Sequence, residues 1–149
     1  METIIKNIDF SYNGMEFKKI PITSYNGGAG WYARIGAVSK VVRQYIKAKY
    51  PNAEFQIKSE SYSMGNSIKV WINPHSVSKE IYRGISLDLS YHFESGSFNA
   101  MEDIYEYKHN TPIKPQYYGN TINFDTKYMM VNYGYKYGSK QYNQYVEGI

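Results

Sequence analysis

The stretch VVRQYIKAKYPNAEFQIKSESYSMGNSIKVWINP, residues 41–74, decides the fold of this chain. It opens with the apolar spacing of a helix, which stops at Pro51 because proline cannot continue a helix. Alternating apolar residues then predict two strands, Glu54 to Glu60 and Ser67 to Ile72. The polar residues between these two strands predict a hairpin loop.

The helix that leads into this stretch is predicted to run from about Trp31 to Lys49. At about 100° per residue, its apolar and basic residues fall on opposite arcs. The predicted inner face consists of Trp31, Ile35, Val38, Val41, Val42, Tyr45 and Ile46, and the outer face carries Lys40, Arg43 and Lys47. We therefore expect an amphipathic helix that packs on a sheet.

The flanking segments supply further elements. Thr3 to Phe10 and Phe17 to Ile22 predict strands, and the Asn-Gly pair between them favours a tight hairpin turn. A second amphipathic helix is predicted to begin at Asn73-Pro74, because asparagine is a common helix cap and proline suits the first helical position. Its apolar arc consists of Val77, Ile81, Ile85, Leu89 and His92, and the last two strands are predicted at Thr121 to Phe124 and Lys127 to Val131.

Together these elements predict an α+β fold: two amphipathic helices packed on a mainly antiparallel sheet of about four to six strands. The chain of 149 residues is about the length of one ordinary domain. We expect residues 1–131 to form a single α+β domain and residues 132–149 to form a tyrosine-rich tail.

Composition limits the cellular context. The sequence contains no cysteine, which fits a reducing compartment and leaves no thiolate for zinc or for nucleophilic catalysis. No stretch approaches the roughly 18 apolar residues of a membrane span, and the amino terminus lacks the pattern of a signal peptide. We expect a cytoplasmic protein that does not act at a membrane.

Charge is distributed unevenly along the chain, although the net charge is only +4. No acidic residue occurs from Phe17 through Ala53, whereas helix surfaces ordinarily interleave the two signs. This segment contains Lys18, Lys19, Arg34, Lys40, Arg43, Lys47 and Lys49, which we predict to form an anion-binding or nucleic-acid-binding surface. The alternative is an ordinary solvated face whose acidic partners come from elsewhere in the fold.

No recognisable catalytic or metal motif is present. The three histidines, His75, His92 and His109, are too scattered for a metal site, and His92 is expected to sit at the edge of the core with a hydrogen bond near Asp88 or Glu94. The glycines before the first helix fit neither the dinucleotide nor the Walker spacing. We therefore expect no enzyme activity, no cofactor and no metal.

The sequence also resembles a known family, the large polyvalent protein-associated domain numbered twenty-nine. The resemblance rests on the basic helix that ends at Tyr50-Pro51, on Phe55-Gln56-Ile57, on Ser59 to Tyr62 with Ser63 and Gly65, on Val70 and Trp71, and on Phe93, Gly96, Phe98 and Met101 to Tyr105. It implies a small α/β module of phages and conjugative elements, with accessory or counter-defence work and no established catalytic residues. Asn73-Pro74 stands where the family tends to an Asp-Gly-Pro turn, so the entry to the second helix is expected to differ.

Two hypotheses about function follow. In the first, the protein is a non-enzymatic factor that binds a host defence or nucleic-acid-handling protein, such as a CRISPR effector, through Tyr62, Met64, Trp71, Glu102, Asp103 and Glu106. In the second, it binds nucleic acid or a nucleotide directly through the basic helix face and exposed aromatic side chains. The tyrosine-rich tail leaves open a third reading, a module that forms a homodimer.

Overall fold

The computed structural model describes residues 3–25, 30–94, 96–99, 104–107 and 113–135. These residues form two helices and ten strands. In chain order the elements are β1 (Thr3–Tyr12), β2 (Met15–Tyr25), β3 (Trp31–Ala33), α1 (Ile35–Lys49), β4 (Phe55–Tyr62), β5 (Gly65–Ile72), α2 (Lys79–Phe93), β6 (Gly96–Asn99), β7 (Ile104–Tyr107), β8 (Gln116–Tyr117), β9 (Asn120–Phe124) and β10 (Tyr128–Tyr133).

The strands form two main sheets. The larger sheet has the order β1-β2-β3-β9-β8, the smaller has the order β10-β5-β4, and β6 and β7 form a separate hairpin. Most neighbouring strands are antiparallel, and the exceptions are the parallel pairs β3 with β9 and β5 with β10. The α+β class is confirmed, with the strands divided between two sheets.

The short connection between β9 and β10 carries the chain from one sheet to the other. The amide of Asp125 donates to the carbonyl of Ala33 in the larger sheet (2.9 Å). On the other side, the amide of Lys127 donates to Asn66 Oδ1 (2.7 Å), and Asn66 Nδ2 donates to the carbonyl of Asp125 (3.0 Å). The two last strands of the chain were predicted, but this division was not, because it depends on hydrogen bonds between residues far apart in sequence.

The predicted start of α1 is wrong by four residues. Residues 31–33 form β3 instead of the first helical turn, because they pair with β2 on one side and with β9 on the other. Arg34 keeps an extended backbone, with φ of −69° and ψ of 169°, and the helix begins at Ile35. The pairing of Trp31 with Ile122 therefore overrides the helical spacing of the sequence.

The predicted start of α2 is also wrong. The side chain of Asn73 accepts a hydrogen bond from the amide of His75 (2.8 Å), which forms a local turn rather than a helix cap. The helix begins at Lys79, and Ser78 caps it by accepting from the amide of Ile81 (3.3 Å). Ile81, which was predicted to lie on the apolar face, is exposed.

The tight turn between β1 and β2 is confirmed. Asn13 and Gly14 have positive φ angles of 52° and 75°, the combination that a two-residue hairpin turn requires. Tyr12 pairs directly with Met15 across the turn.

One core joins both sheets and both helices. The inner face of α1 lies at its centre, since Val38, Val41, Val42, Tyr45 and Ile46 are fully buried. Side chains of the larger sheet pack on α1, and the core face of β5 completes the cluster with Ile68, Val70 and Ile72. The two sheets and two helices of the described residues thus share one apolar interior, and the basic side of α1 faces away from it.

Candidate binding surfaces

The outer face of α1 carries a row of basic side chains. Lys40, Arg43 and Lys47 are all exposed and lie within about 60° of one another around the helix axis. They span about 10 Å along the axis at 1.5 Å per residue. Lys40 Nζ donates to the carbonyl of Lys19 (2.6 Å), which places Lys19 beside the start of the row. We call Lys19, Lys40, Arg43 and Lys47 the basic ridge.

A bulge in the β1–β2 hairpin positions Lys19. The pairing register shifts between Ile8 and Phe10, and Lys19 takes a positive φ of 56°. The amide of Lys19 donates to Asp9 Oδ1 (2.8 Å). The side-chain amide of Gln44 on α1 both donates to and accepts from the backbone of Lys18 (3.0 and 2.9 Å). The bulge is therefore fixed against the helix that carries the rest of the ridge.

The seven cations predicted as one surface separate into groups. Lys18 forms ion pairs with Glu16 (3.0 Å) and Asp9 (3.8 Å), and the hydrogen bond to Glu16 raises its pKa. Lys49 lies on the opposite side of α1, where it contacts Asp88, and Arg34 precedes the helix. Within the described part of the chain, no carboxylate is in ion-pair contact with any of the four ridge residues.

Asp88 is the centre of a polar cluster at the contact between α1 and α2. Its Oδ2 accepts from Lys49 Nζ (2.6 Å) and from the hydroxyl of Tyr50 (2.8 Å). Its Oδ1 accepts from the hydroxyl of Tyr45 (2.9 Å) and lies 3.3 Å from Nε2 of His92. Burial acts to raise the pKa of Asp88, but the hydrogen bonds from Lys49, Tyr50 and Tyr45 outweigh it and hold the pKa below its ordinary value.

The same cluster reaches the β1–β2 turn. The hydroxyl of Tyr12 lies 3.0 Å from Nδ1 of His92, and Asn13 Nδ2 donates to the hydroxyl of Tyr45 (3.2 Å). The prediction that His92 is a core-edge histidine hydrogen-bonded near Asp88 is confirmed. Sequence reasoning missed the role of Asp88 itself, for which the only local signal is its spacing of four residues from His92.

The tyrosines of this cluster have raised pKa values. Burial is the main cause that raises the pKa of Tyr12 and of Tyr45, and burial with the hydrogen bond to Asp88 raises that of Tyr50 to about 12. The hydroxyls therefore stay protonated at neutral pH, and their contacts tie α1, α2 and the first hairpin together.

The tip of the β4–β5 hairpin presents two of the predicted partner-binding residues. Tyr62 is 45% exposed and Met64 is 80% exposed. Gly65 has a φ of 152°, and a Cβ at this position would lie 2.6 Å from Cδ of Lys127. Lys127 Nζ in turn donates to the carbonyl of Met64 (2.8 Å). The tip is thus an exposed apolar surface whose backbone is held by β10 and the segment before it.

Trp71 lies elsewhere on the same hairpin. Ile68, Val70 and Ile72 point into the core, so the alternation of β5 places Trp71 on the opposite face of the smaller sheet. It is half-buried there, next to Gln56 on β4. The structure therefore brings Trp71 and Tyr62 onto one side of the smaller sheet, with Met64 at its end.

Of the three acidic residues predicted to contact a partner, the structure describes only Glu106. Glu102 and Asp103 lie outside the described residues, as do His109 and positions 136–149. Glu106 belongs to β7 and pairs with Ser97 of β6 through the backbone. Strand β10 extends to Tyr133, whose hydroxyl donates to the carbonyl of Val77 (2.7 Å), so the described beginning of the predicted tail packs against the segment before α2.

Two features are absent from the described residues. No group of three or more histidine, aspartate or glutamate residues in the described ranges could hold a metal ion. In the same ranges, neither helix has the length and apolar character needed to cross a membrane.

The fold and surfaces define a small α+β protein with an exposed hairpin tip, an internal polar cluster and a basic ridge that has no carboxylate in ion-pair contact among the described residues. The chain belongs to the family of the large polyvalent protein associated domain 29, whose family model matches residues 34–141. The resemblance read from the sequence is thereby confirmed, and it associates the chain with polyvalent proteins of phages and mobile elements. The comparisons with curated proteins and with solved structures gave no match.

Proposed function

We propose that this protein acts by binding rather than by catalysis, and that the basic ridge of α1 docks on the phosphate backbone of nucleic acid. The observation that carries the proposal is the row Lys40, Arg43 and Lys47, exposed and without a carboxylate partner among the described residues. The family associates the chain with phages and mobile elements, and the proposal places its action inside a host cell.

The charge arrangement supports this partner physically. Each cation that neutralises a phosphate releases a condensed counterion. With four ridge residues, the logarithm of the binding constant is therefore expected to fall with the logarithm of the salt concentration with a slope of about −3. Such binding is independent of sequence and falls in the range of about 10⁻⁴ to 10⁻⁶ M at physiological salt. The ammonium group of Lys40 and the backbone of Lys19 are held by hydrogen bonds, so part of the entropy cost of ordering the ridge is already met before binding.

The double substitution Arg43→Gln/Lys47→Gln tests the proposal. Removing two phosphate contacts is expected to weaken binding roughly 30-fold at 0.1 M salt and to reduce the salt slope by about 1.6. The measurement is fluorescence anisotropy of a labelled 20-nucleotide DNA strand and of its duplex, over a range of salt concentrations. Lys40 is left unchanged because its ammonium group also holds the backbone of Lys19.

The matched control is Lys79→Gln/Arg83→Gln, which removes the same two charges from exposed positions on α2. It should retain nearly the affinity of the original protein. An equal loss in both variants would show that net charge alone drives binding, and binding that ignores salt would contradict the ridge as the site.

A second candidate is counter-defence through a host protein, such as a nucleic-acid-targeting defence complex. The observation that favours it is the exposed Met64 beside Tyr62 on a tip held by Asn66 and Lys127. Exposed apolar residues on a fixed surface are typical anchors of protein interfaces.

For this candidate, Met64→Glu is expected to abolish capture of a host nucleic-acid-handling protein from nuclease-treated lysate, because a carboxylate would be buried in the interface. Leu87→Glu is the matched control, since Leu87 is an exposed apolar residue on α2. Capture by both variants, identified by mass spectrometry, would rule out the tip as the binding surface.

A further inference from the structure

The side of the smaller sheet that faces away from the core has the composition of a nucleic-acid platform. We propose that this side binds a single strand of nucleic acid by base stacking, an inference that rests on the proposed nucleic-acid function and adds a second, strand-selective site to it. We call it the outer sheet face, formed by Gln56, Lys58, Glu60, Tyr62, Lys69, Trp71, Tyr128, Met130 and Asn132.

The register arranges these residues in rows across the three strands. Trp71 lies between Gln56 and Asn132, and Lys69 lies between Lys58 and Met130. The next row places Ser67 between Glu60 and Tyr128, and Tyr62 follows at the end of β4, opposite Gly65. One row of ammonium groups therefore lies between the row of Trp71 and the two rows that carry Tyr128 and Tyr62, and Ser67 in the row of Tyr128 is buried.

The aromatic groups are accessible. Tyr62 is 45% exposed, and the indole of Trp71 is partly exposed in a row between Gln56 and Asn132. A cleft of about 60 Å³ adjoins Trp71 and is lined also by Phe55, Gln56 and Tyr135. Stacked bases need an accessible π surface with hydrogen-bonding groups at its edge, and the partly exposed indole with the two neighbouring amides meets this need.

The charges of the face suit a phosphate backbone. Lys58 and Lys69 share one carboxylate, that of Glu60, at 3.2 and 3.8 Å. Lys127 adds a third ammonium group, which lies 5.8 Å from the centre of the Tyr128 ring. Glu54 lines the cleft beside Trp71 and adds a second carboxylate at this face. Three cations against two carboxylates leave a net charge of +1, so an anionic strand is favoured over an uncharged peptide.

The geometry favours a single strand over a duplex. Three strands about 4.8 Å apart make a face roughly 10 to 15 Å wide, and four rows make it about 20 Å long, enough for about three or four nucleotides. In a duplex the base faces are stacked on one another and cannot reach Trp71. The ridge, in contrast, needs only phosphates and does not distinguish the two forms.

Intrinsic fluorescence can test the proposal, because the chain has only two tryptophans, Trp31 and Trp71. Trp31 belongs to the larger sheet, where its ring packs against Tyr117 (5.6 Å between centroids). The variant Trp31→Phe therefore leaves Trp71 as the sole reporter. The probes are a 12-nucleotide thymidine strand, an abasic strand of equal length and charge, and a 12-base-pair duplex.

We expect the thymidine strand to quench Trp71 and to bind at least fivefold more tightly than the abasic strand or the duplex. In the otherwise unchanged protein, Trp71→Ala is expected to weaken binding of the thymidine strand about tenfold, measured by anisotropy. Lys58→Gln/Lys69→Gln provides a second variant that leaves Trp71 in place, and it should lower the affinity for the same strand. Circular dichroism establishes that each variant is folded.

The outcomes separate this inference from the proposed function. If the thymidine and abasic strands bind equally, or if the Trp71 signal does not change while a strand binds, the platform is wrong and the ridge remains the site. If Arg43→Gln/Lys47→Gln has no effect while Trp71→Ala does, the ridge is wrong and the platform stands. If no strand binds at 50 mM salt, both are wrong.

Discussion

Replacing Asp88 with alanine is expected to lower the free energy of unfolding by about 3 kcal/mol. The carboxylate is only 12% exposed and takes hydrogen bonds from Tyr45, Tyr50 and Lys49. Without it, the buried hydroxyl of Tyr45 loses its acceptor, which costs about 1 to 3 kcal/mol by itself. Lys49 is partly exposed and can be rehydrated, so it adds less. Urea denaturation followed by circular dichroism measures the change.

Asp88→Asn tests the contribution of charge to this effect. Because the folded protein holds the pKa of Asp88 below its ordinary value, the unfolded chain takes up the proton first as the pH falls. The stabilisation is therefore complete above the ordinary aspartate pKa of about 3.9 and is lost as the pH decreases towards the lowered value. The stability difference between the original protein and Asp88→Asn should therefore shrink as the pH falls below about 4.

Asp125→Asn serves as the control, because Asp125 is an exposed aspartate. It should change the free energy of unfolding by less than about 0.5 kcal/mol. A stability difference for Asp88→Asn that stays constant down to pH 2 would contradict the lowered pKa of Asp88.

The helix and hairpin of residues 41–74 could be read from the sequence because their signals are local. Pro51 ends the helix, and the alternation of Ile68, Val70 and Ile72 fixes the core side of β5. Trp31–Ala33 was misread because its apolar spacing continues that of α1, whereas its pairing with β9 joins residues about 90 positions apart. Pairings of this kind leave no mark in a local pattern.

The candidate surfaces show the same difference between local signals, which can be read from the sequence, and contacts between distant residues, which cannot. The spacing of Lys40, Arg43 and Lys47 predicts a row on one helix face, and these residues are exposed together. The sequence could not separate Lys18 and Lys49 from that row, because their partners Glu16 and Asp88 depend on the hairpin and on the second helix. Gln44 was missed for a similar reason: its amide meets the backbone of Lys18, which is 26 residues away.

The β1–β2 hairpin lies before the residues that the family model matches, but it belongs to the same fold. The family model begins at Arg34, yet Phe17, Ile20 and Ile22 of β2 are fully buried in the same core as α1. This hairpin also supplies Lys19 to the ridge and Tyr12 to the Asp88 cluster. Its presence therefore affects both stability and the charge pattern of the proposed phosphate-binding surface.

Replacing Phe93 with alanine is expected to give the largest loss of stability, about 4 kcal/mol. Phe93 is almost completely buried at the end of α2. Its ring centroid lies 5.4 Å from that of Tyr45 on α1 and 5.2 Å from that of Phe124 on β9. Removing the ring leaves a cavity between both helices and the larger sheet, and it also removes aromatic contacts worth about 0.5 to 1.5 kcal/mol each.

Two variants provide the comparison in the same urea measurement. Phe93→Leu keeps most of the volume and should lose about half as much stability as Phe93→Ala. Leu87→Ala, on the same helix but 75% exposed, should change the free energy of unfolding by less than about 0.5 kcal/mol. Equal stability losses in Phe93→Ala and Leu87→Ala would mean that α2 does not pack on the core through Phe93. A much larger loss in Phe93→Ala would place that ring at the junction of α1, α2 and β9.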